Sequence, residues 1–185
     1  AVRQGSLHET LNLATLWQLP VVFVVENNGY AMGTSVARTA SHQEIWKLGR
    51  GYEMPCRPAH VLDLVAVANE VDIAILRARS GKGPSFLEMK TYRYRGHSMS
   101  DAQKYRTKEE VEEYRKIDPI TQVKEIILEN KYATLKQLEE IDAAVKVKVA
   151  DCEKFAEEAP FPDKSVMYDA VYEQEDYPFI KHKLD

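Results

Sequence analysis

Two asparagines and a glycine follow a short apolar run near the start of the chain. The run Val21–Val25 is largely β-branched and follows Pro20, which predicts a buried parallel strand. The polar turn Glu26–Thr34 would then lie at the carboxyl end of that strand, where open α/β sheets bind ligands. Its carboxamide and carbonyl oxygens are hard ligands that suit Mg²⁺, with phosphates and water completing the coordination. The alternative is an ordinary Asn-Gly turn between a strand and a helix.

A second group of reactive side chains lies in the segment Tyr92–Asp101, after another predicted strand. His97, between a glycine and a serine, is placed to donate to a phosphate or to exchange a proton near neutral pH. The positive charge that could hold a diphosphate comes from Arg93, Arg95, Lys104 and Arg106. One alternative is a surface loop whose arginines are simply solvated. Another is that its alternating Tyr and Arg side chains stack on single-stranded nucleic acid.

The elements that must position these loops alternate between helix and strand. The apolar patterns predict helices over 6–17, 44–48 and 61–79, and strands over 21–25, 52–57 and 85–92. Ser6 and Glu9 have the spacing of a capping box at the start of the first helix. Helices and strands in alternation predict an α/β fold with a parallel sheet, whose two polar loops share one edge.

A helical extension follows the alternating part of the chain. Helices are expected over 108–116, 120–131 and 135–158, with Pro119 beginning the second and Thr134 capping the third. The third helix carries a narrow apolar stripe, which suits packing within the domain or contact with a partner subunit. The sequence therefore predicts an α/β domain over 1–107 and a helical extension over 108–185.

Composition and charge exclude several classes of protein. The 185 residues, 44% of them hydrophobic, are enough for one domain with a core. The net charge of −4 divides into +3 over residues 1–100 and −7 over 101–185, which argues against a general nucleic-acid binder. Cys56 and Cys152 lack metal-ligand spacing and suit a reducing compartment. Since no apolar run has the length that spans a bilayer, no membrane association is expected.

Three stretches of the chain resemble the E1 α subunits of 2-oxoacid dehydrogenase complexes. They are Gln4–Glu9, Glu26–Ser35, and Thr91–Asp101 followed by Tyr105–Thr107, and the spacing between them fits throughout. The resemblance implies a thiamine diphosphate-binding α/β fold with Mg²⁺. It also implies oxidative decarboxylation of a 2-oxo acid and transfer of the acyl group to the lipoyl group of an E2 component. The third stretch favours pyruvate as the substrate over branched-chain 2-oxo acids and acetoin.

The resemblance also implies roles for single residues. Asn28 is similar to the side-chain ligand of Mg²⁺, and Tyr30 to the residue whose backbone carbonyl binds it. Ala1 matches a residue whose backbone touches the cofactor. His97 is similar to the catalytic loop histidine that contacts the diphosphate near the reacting carbon, and Arg93 to a supporting residue of that loop.

Two serines, Ser98 and Ser35, match residues that regulatory kinases modify in mitochondrial relatives. A phosphate on Ser98 would add about −1.5 to −2 charge beside the diphosphate site. Such a charge is expected to repel the cofactor or the substrate.

The departures from the family pattern concern the start of the chain. The family's Gly-Asp-Gly, whose aspartate binds Mg²⁺, would stand directly before Ala1, and Ala59-His60-Val61 replaces a common Val-Asp-Gly. We therefore expect a carboxyl-terminal part of an α subunit, without the first strand of the cofactor fold and inactive alone. Its sheet edges would need a partner.

The partners that the resemblance implies are an E1 β subunit, in an α2β2 heterotetramer, and the lipoyl domain of E2. The glutamate that activates the aminopyrimidine ring of the cofactor belongs to the β subunit. The compartment would be the bacterial cytoplasm or the mitochondrial matrix. A catalytically silent assembly module is the alternative from a different functional class.

Overall fold

The computed structural model describes residues 1–60 and 63–169. The chain divides into two compact units, residues 1–132 and the residues from 133 onward. The first unit includes two of the helices that follow residue 108, so these belong to the same unit as the sheet. The predicted division into a cofactor-binding domain over 1–107 and a helical extension over 108–185 stays a prediction, and residues 170–185 of the extension lie outside the described part.

A parallel sheet forms the centre of the first unit. Its strands are β1 (Val22–Asn27), β4 (Cys56–His60) and β5 (Ser85–Lys90), and β5 lies between the other two. Two short strands, β2 (Tyr30–Ala31) and β3 (Thr34–Ser35), form a separate antiparallel hairpin directly after β1. The predicted α/β class, with a parallel sheet flanked by helices, is confirmed.

Helices surround the sheet and continue after it. In chain order they are α1 (Gly5–Leu16), α2 (Val36–Thr39), a 3-10 helix (Ile45–Tyr52), α3 (Leu64–Arg79), α4 (Lys108–Arg115) and α5 (Pro119–Glu129). The second unit contains α6 (Leu135–Glu158) and α7 (Val166–Asp169). Within the described residues, no helix is both long and apolar enough to cross a membrane.

Two predictions about local structure were wrong. The N-cap of α1 is Gln4 rather than Ser6, and its side chain makes no capping hydrogen bond. The predicted strand over 52–57 begins only at Cys56, because the 3-10 helix runs to Tyr52 and Glu53 ends it in the left-handed region at φ +55°. Pairing of Cys56 with Phe86 on β5 then sets the register of β4.

Each face of the sheet packs against its own apolar layer. Side chains alternate along β5, so Phe86 and Leu87 point to opposite faces. Phe86 packs with Leu11, Ile45 and Met54 from α1, the 3-10 helix and the turn after it. The other layer packs the sheet against α3 and consists of Ala59, Ala74, Leu87 and Met89. Phe86 is fully buried, which contributes about 1.5–3 kcal/mol to folding.

Capping residues determine where the later helices begin. Asp63 accepts a hydrogen bond from the Ala66 amide at the start of α3, at 2.9 Å. Asp118 caps α5, whose first residue is Pro119. Thr134 and Gln137 form a complete capping box on α6, and the predicted bounds of that helix, 135–158, are confirmed.

Candidate functional site

The two polar loops start from neighbouring points of the sheet. Asn27 is the last residue of β1 and pairs with Lys90, the last residue of β5. One residue further on, the Thr91 amide donates to the Asn27 carbonyl at 3.0 Å. The loops that follow β1 and β5 therefore leave the same edge of the sheet, as the sequence predicts.

The loop after β1 is shaped by its two asparagines. The Gly29 amide donates to Asn27 Oδ1 and the Tyr30 amide donates to Asn28 Oδ1, each at 3.0 Å. Gly29 has φ +79°, a conformation that glycine adopts without steric cost. These local bonds turn the chain sharply and lead it into the β2–β3 hairpin, so that the Asn28 carboxamide is held in one orientation.

A cavity of about 530 Å³ lies beside this turn. Residues from the start of the chain line one part of it, and the turn and hairpin line another. Three of the predicted cofactor residues, Ala1, Asn28 and Tyr30, are among the lining residues. Arg93 and His97 are not among them, so the structure brings together only part of the predicted set in this cavity.

Arg93 connects the two loops. Its Nη2 donates to the Met32 carbonyl at the tip of the hairpin, at 2.9 Å, and to the Tyr105 hydroxyl at 3.2 Å. The Tyr105 ring also lies against Gly33, where a Cβ would approach the ring to 2.8 Å. The Arg93 guanidinium therefore bridges the hairpin and the second loop, and its supporting role toward a cofactor stays a prediction.

The other cations of the second loop divide into two kinds. Arg106 donates to the backbone carbonyls of Arg93, Tyr94 and Arg95, so its guanidinium holds the loop together. Arg95 and Lys104 are exposed. The charges of Arg95 and Lys104 therefore lie open to solvent and to an approaching anion.

The loop that carries His97 folds around one carboxylate. Asp101 Oδ2 accepts hydrogen bonds from the His97 amide and from the Tyr105 hydroxyl, each at 2.7 Å. Asp101 Oδ1 accepts from the Gln103 amide at 2.8 Å. These donors, the His97 amide first, lower the pKa of Asp101 to about 2. The His97 side chain is exposed, so the loop fixes the backbone and leaves the imidazole at the surface.

Glu110 joins the two loops to α4. Its Oε1 accepts from the Tyr92 hydroxyl at 3.0 Å and from the Tyr30 hydroxyl at 3.3 Å. Tyr92 also stacks on Tyr114, with ring centroids 3.8 Å apart. Burial, followed by the Glu110 hydrogen bond and charge, raises the pKa of Tyr92 to about 12. Burial is also the main cause that raises the pKa of Tyr30.

Two carboxylates of the site, Glu110 and Glu88, are not predicted from the sequence. Thr107 and Glu110 have capping-box spacing, yet the Glu110 carboxylate binds tyrosines that are distant in sequence, which no local pattern reveals. Glu88 is completely buried and accepts from the Asn27 side chain. The available indication was a glutamate between the apolar residues Leu87 and Met89 of a predicted strand.

The donor set next to the cavity fits a metal-bound diphosphate. Across residues 1–60 and 63–169, no three His, Cys, Asp or Glu side chains gather into a metal site. The oxygens that the turn offers to a cation are those of the Asn28 carboxamide and the Tyr30 peptide group, which line the cavity. Mg²⁺ suits such a set because it keeps water and phosphate oxygens in its octahedron.

Comparison with known proteins gives consistent matches. A family model described as dehydrogenase E1 component matches residues 1–165. The chain is 45% identical over 172 residues to the pyruvate dehydrogenase E1 component subunit alpha of Rickettsia felis, which covers 93% of this chain and 53% of the relative. The corresponding protein of Rhizobium meliloti is 47% identical over 169 residues, 91% of this chain and 49% of the relative.

A mitochondrial relative matches over a similar span. The pyruvate dehydrogenase E1 component subunit alpha of Sminthopsis macroura is 41% identical over 181 residues, 97% of this chain and 49% of the relative. The chain thus spans about half the length of the curated relatives it matches.

Proposed function

The chain belongs to the dehydrogenase E1 component family, and we propose that it forms part of the α subunit of a pyruvate dehydrogenase E1 component. The proposed reaction is the thiamine diphosphate-dependent oxidative decarboxylation of pyruvate, with transfer of the acyl group to a lipoyl group on E2. The proposal rests on the family match and on the names of the relatives, two bacterial and one mitochondrial.

The observation that carries the proposal is the cavity beside the Asn-Asn turn. Ala1, Asn28 and Tyr30 come from two separate segments of the chain and line the same space of about 530 Å³. The Asn28 carboxamide is already oriented by its hydrogen bond from the Tyr30 amide. A group held before the ligand arrives loses less conformational entropy on binding.

The residues of this chain would act mainly by binding and positioning. Asn28 Oδ1 and the Tyr30 carbonyl would hold Mg²⁺, and the Ala1 backbone would contact the diphosphate. Thiamine diphosphate, when bound, supplies the electron sink for decarboxylation. The exposed His97 imidazole would be the proton-transfer group, while Asp101 holds the backbone of its loop and Arg93 ties that loop to the hairpin.

The proposed partners are an E1 β subunit in an α2β2 assembly and the lipoyl domain of E2. The compartment proposed is the bacterial cytoplasm or the mitochondrial matrix, according to the kind of cell. Of the two candidate phosphorylation sites, Ser98 is exposed and Ser35 is half-buried at the start of α2. Ser98 is thus the more accessible candidate for a kinase.

The proposal is tested by calorimetry with Mg²⁺ and thiamine diphosphate on the native assembly that contains this chain. Asn28→Ala is expected to weaken binding by more than about 100-fold, since loss of a residue that only hydrogen-bonds to a metal ligand already costs about 10–100-fold. Asn69→Ala, which removes an exposed carboxamide from α3, is the matched control and is expected to bind like the natural chain. Equal binding by the Asn28 variant would contradict the proposed site, and an assembly that binds no cofactor would favour a silent module.

A further inference from the structure

A buried carboxylate lies directly behind the Asn-Asn turn. Glu88 is on the central strand β5 and is 0% exposed. It lies two residues after Phe86, on the face of the sheet that packs against α1 and the 3-10 helix. Among the described residues it forms no ion pair. A buried carboxylate without a counter-ion is costly unless hydrogen bonds compensate it.

Both oxygens of Glu88 accept a hydrogen bond from a different element. Oε1 accepts from Asn27 Nδ2 at 2.7 Å, and Oε2 accepts from the Trp46 amide at 2.8 Å. Trp46 lies in the first turn of the 3-10 helix, where amide groups lack partners within the helix. The carboxylate therefore ties the end of β1 to the start of that helix.

The bond to Asn27 also sets the turn that follows. Because Asn27 Nδ2 points at Glu88, Asn27 Oδ1 faces the other way and accepts from the Gly29 amide at 3.0 Å. Asn28 lies between Asn27 and Gly29, and its Oδ1 accepts from the Tyr30 amide. By orienting the Asn27 carboxamide, the buried Glu88 carboxylate thus shapes the turn that contains Asn28, the proposed metal ligand.

We propose that Glu88 is a positioning residue, which holds the segment from Asn27 to Tyr30 in the conformation that binds the metal and its diphosphate. The inference rests on the proposed function for the identity of the ligand. The role requires two acceptors on one side chain, because both of its partners are donors. A glutamine has one acceptor oxygen and would present an N–H group to one of the two donors.

The test compares Glu88→Gln with a variant in which the hydrogen-bond polarity is exchanged. In the double variant Asn27→Asp with Glu88→Gln, the new amide donates to the new carboxylate and still accepts from the Trp46 amide. The other oxygen of the carboxylate at position 27 accepts from the Gly29 amide. Every hydrogen bond of the natural arrangement is restored, and Glu109→Gln, an exposed change on α4, serves as the control.

Two readouts are measured. The first is hydrogen exchange at the Gly29 and Trp46 amides, which needs no cofactor. The second is the affinity for thiamine diphosphate as a function of Mg²⁺ concentration. Glu88→Gln is expected to make exchange at Gly29 about tenfold faster and to weaken cofactor binding about 10–100-fold. The double variant is expected to recover both values to within about threefold.

Natural exchange and affinity in Glu88→Gln would overturn the proposal. So would a double variant that folds but keeps the binding defect, because restoring the hydrogen bonds to the turn and to the 3-10 helix would then not restore binding. If Glu88→Gln does not fold, the double variant decides: recovery of folding and affinity supports the role, and lack of recovery overturns it. Failure of the proposed function can be told apart from failure of the Glu88 proposal. In the first case the natural chain would bind no cofactor, while hydrogen exchange at the Gly29 amide would still report the effect of Glu88.

Discussion

Single polar side chains that accept hydrogen bonds from the backbone hold the candidate site in shape. Asp101 accepts from two amides and one hydroxyl, and so fixes the backbone of the loop that carries His97. Asn27 and Asn28 each accept from an amide two residues further on. The Asn28 carboxamide is thus held by the Tyr30 amide, and the His97 backbone is held by the Asp101 carboxylate.

The order of the His97 loop is expected to depend on pH through Asp101. Its folded pKa of about 2 lies below the ordinary value of 3.8, so the carboxylate stabilises the fold fully above pH 3.8. That contribution is lost as the pH falls through about 2. NMR of the His97 amide is expected to show one transition near pH 2, absent in Asp101→Asn and unchanged in Asp72→Asn. A transition near 3.8 in the natural chain would contradict this role.

At the scale of elements, α4 is fastened to both loops by tyrosines. Tyr30 comes from the hairpin and Tyr92 from the loop after β5, and both donate to Glu110 on α4. The stacking of Tyr92 on Tyr114 adds a second contact between the same helix and the second loop. The hairpin and the second loop are therefore linked through a third element as well as directly.

This link predicts an altered titration of Tyr92. Replacement of Glu110 by Gln removes the charge, and the pKa of Tyr92 is expected to fall from about 12 toward 10 without reaching it, because burial is the larger cause. The sign follows from the raised pKa: the contact stabilises the fold fully below pH 10 and is lost as the pH rises through 12. NMR of the tyrosine rings measures this. An unchanged midpoint for Tyr92, or an equal shift in Glu109→Gln, would refute the link.

The elements that the sequence predicts best are those set by local chemistry. The bounds of α6 follow from the Thr134 cap and the apolar spacing after it. The start of β4 was misplaced because it depends on pairing with β5, about thirty residues further along the chain. The roles of Glu88 and Glu110 escaped prediction for the same reason, since their partners are distant in sequence and meet only in the fold.

At the scale of the whole molecule, the residues of the candidate site all belong to the first unit. The family of the chain is established by the match over residues 1–165. The matching relatives are about twice as long as the chain, so the activity that their names give is a proposal for it. The predicted use of α6 for packing or for partner contact stays a prediction. Its apolar side chains, Leu138, Ile141, Val145 and Val149 among them, lie at three- and four-residue steps.

We propose that the loops after β1 and β5 form one site for a metal-bound diphosphate. Mn²⁺ in place of Mg²⁺ tests this directly, because its unpaired electrons broaden the NMR signals of nearby nuclei. With thiamine diphosphate present, the native assembly is expected to show the strongest broadening at Asn28 and Tyr30, and clear broadening at His97. The exposed helix residue Asn69 is expected to keep sharp signals. Broadening at Asn28 with an unaffected His97 ring would contradict the claim, as would broadening that avoids both loops.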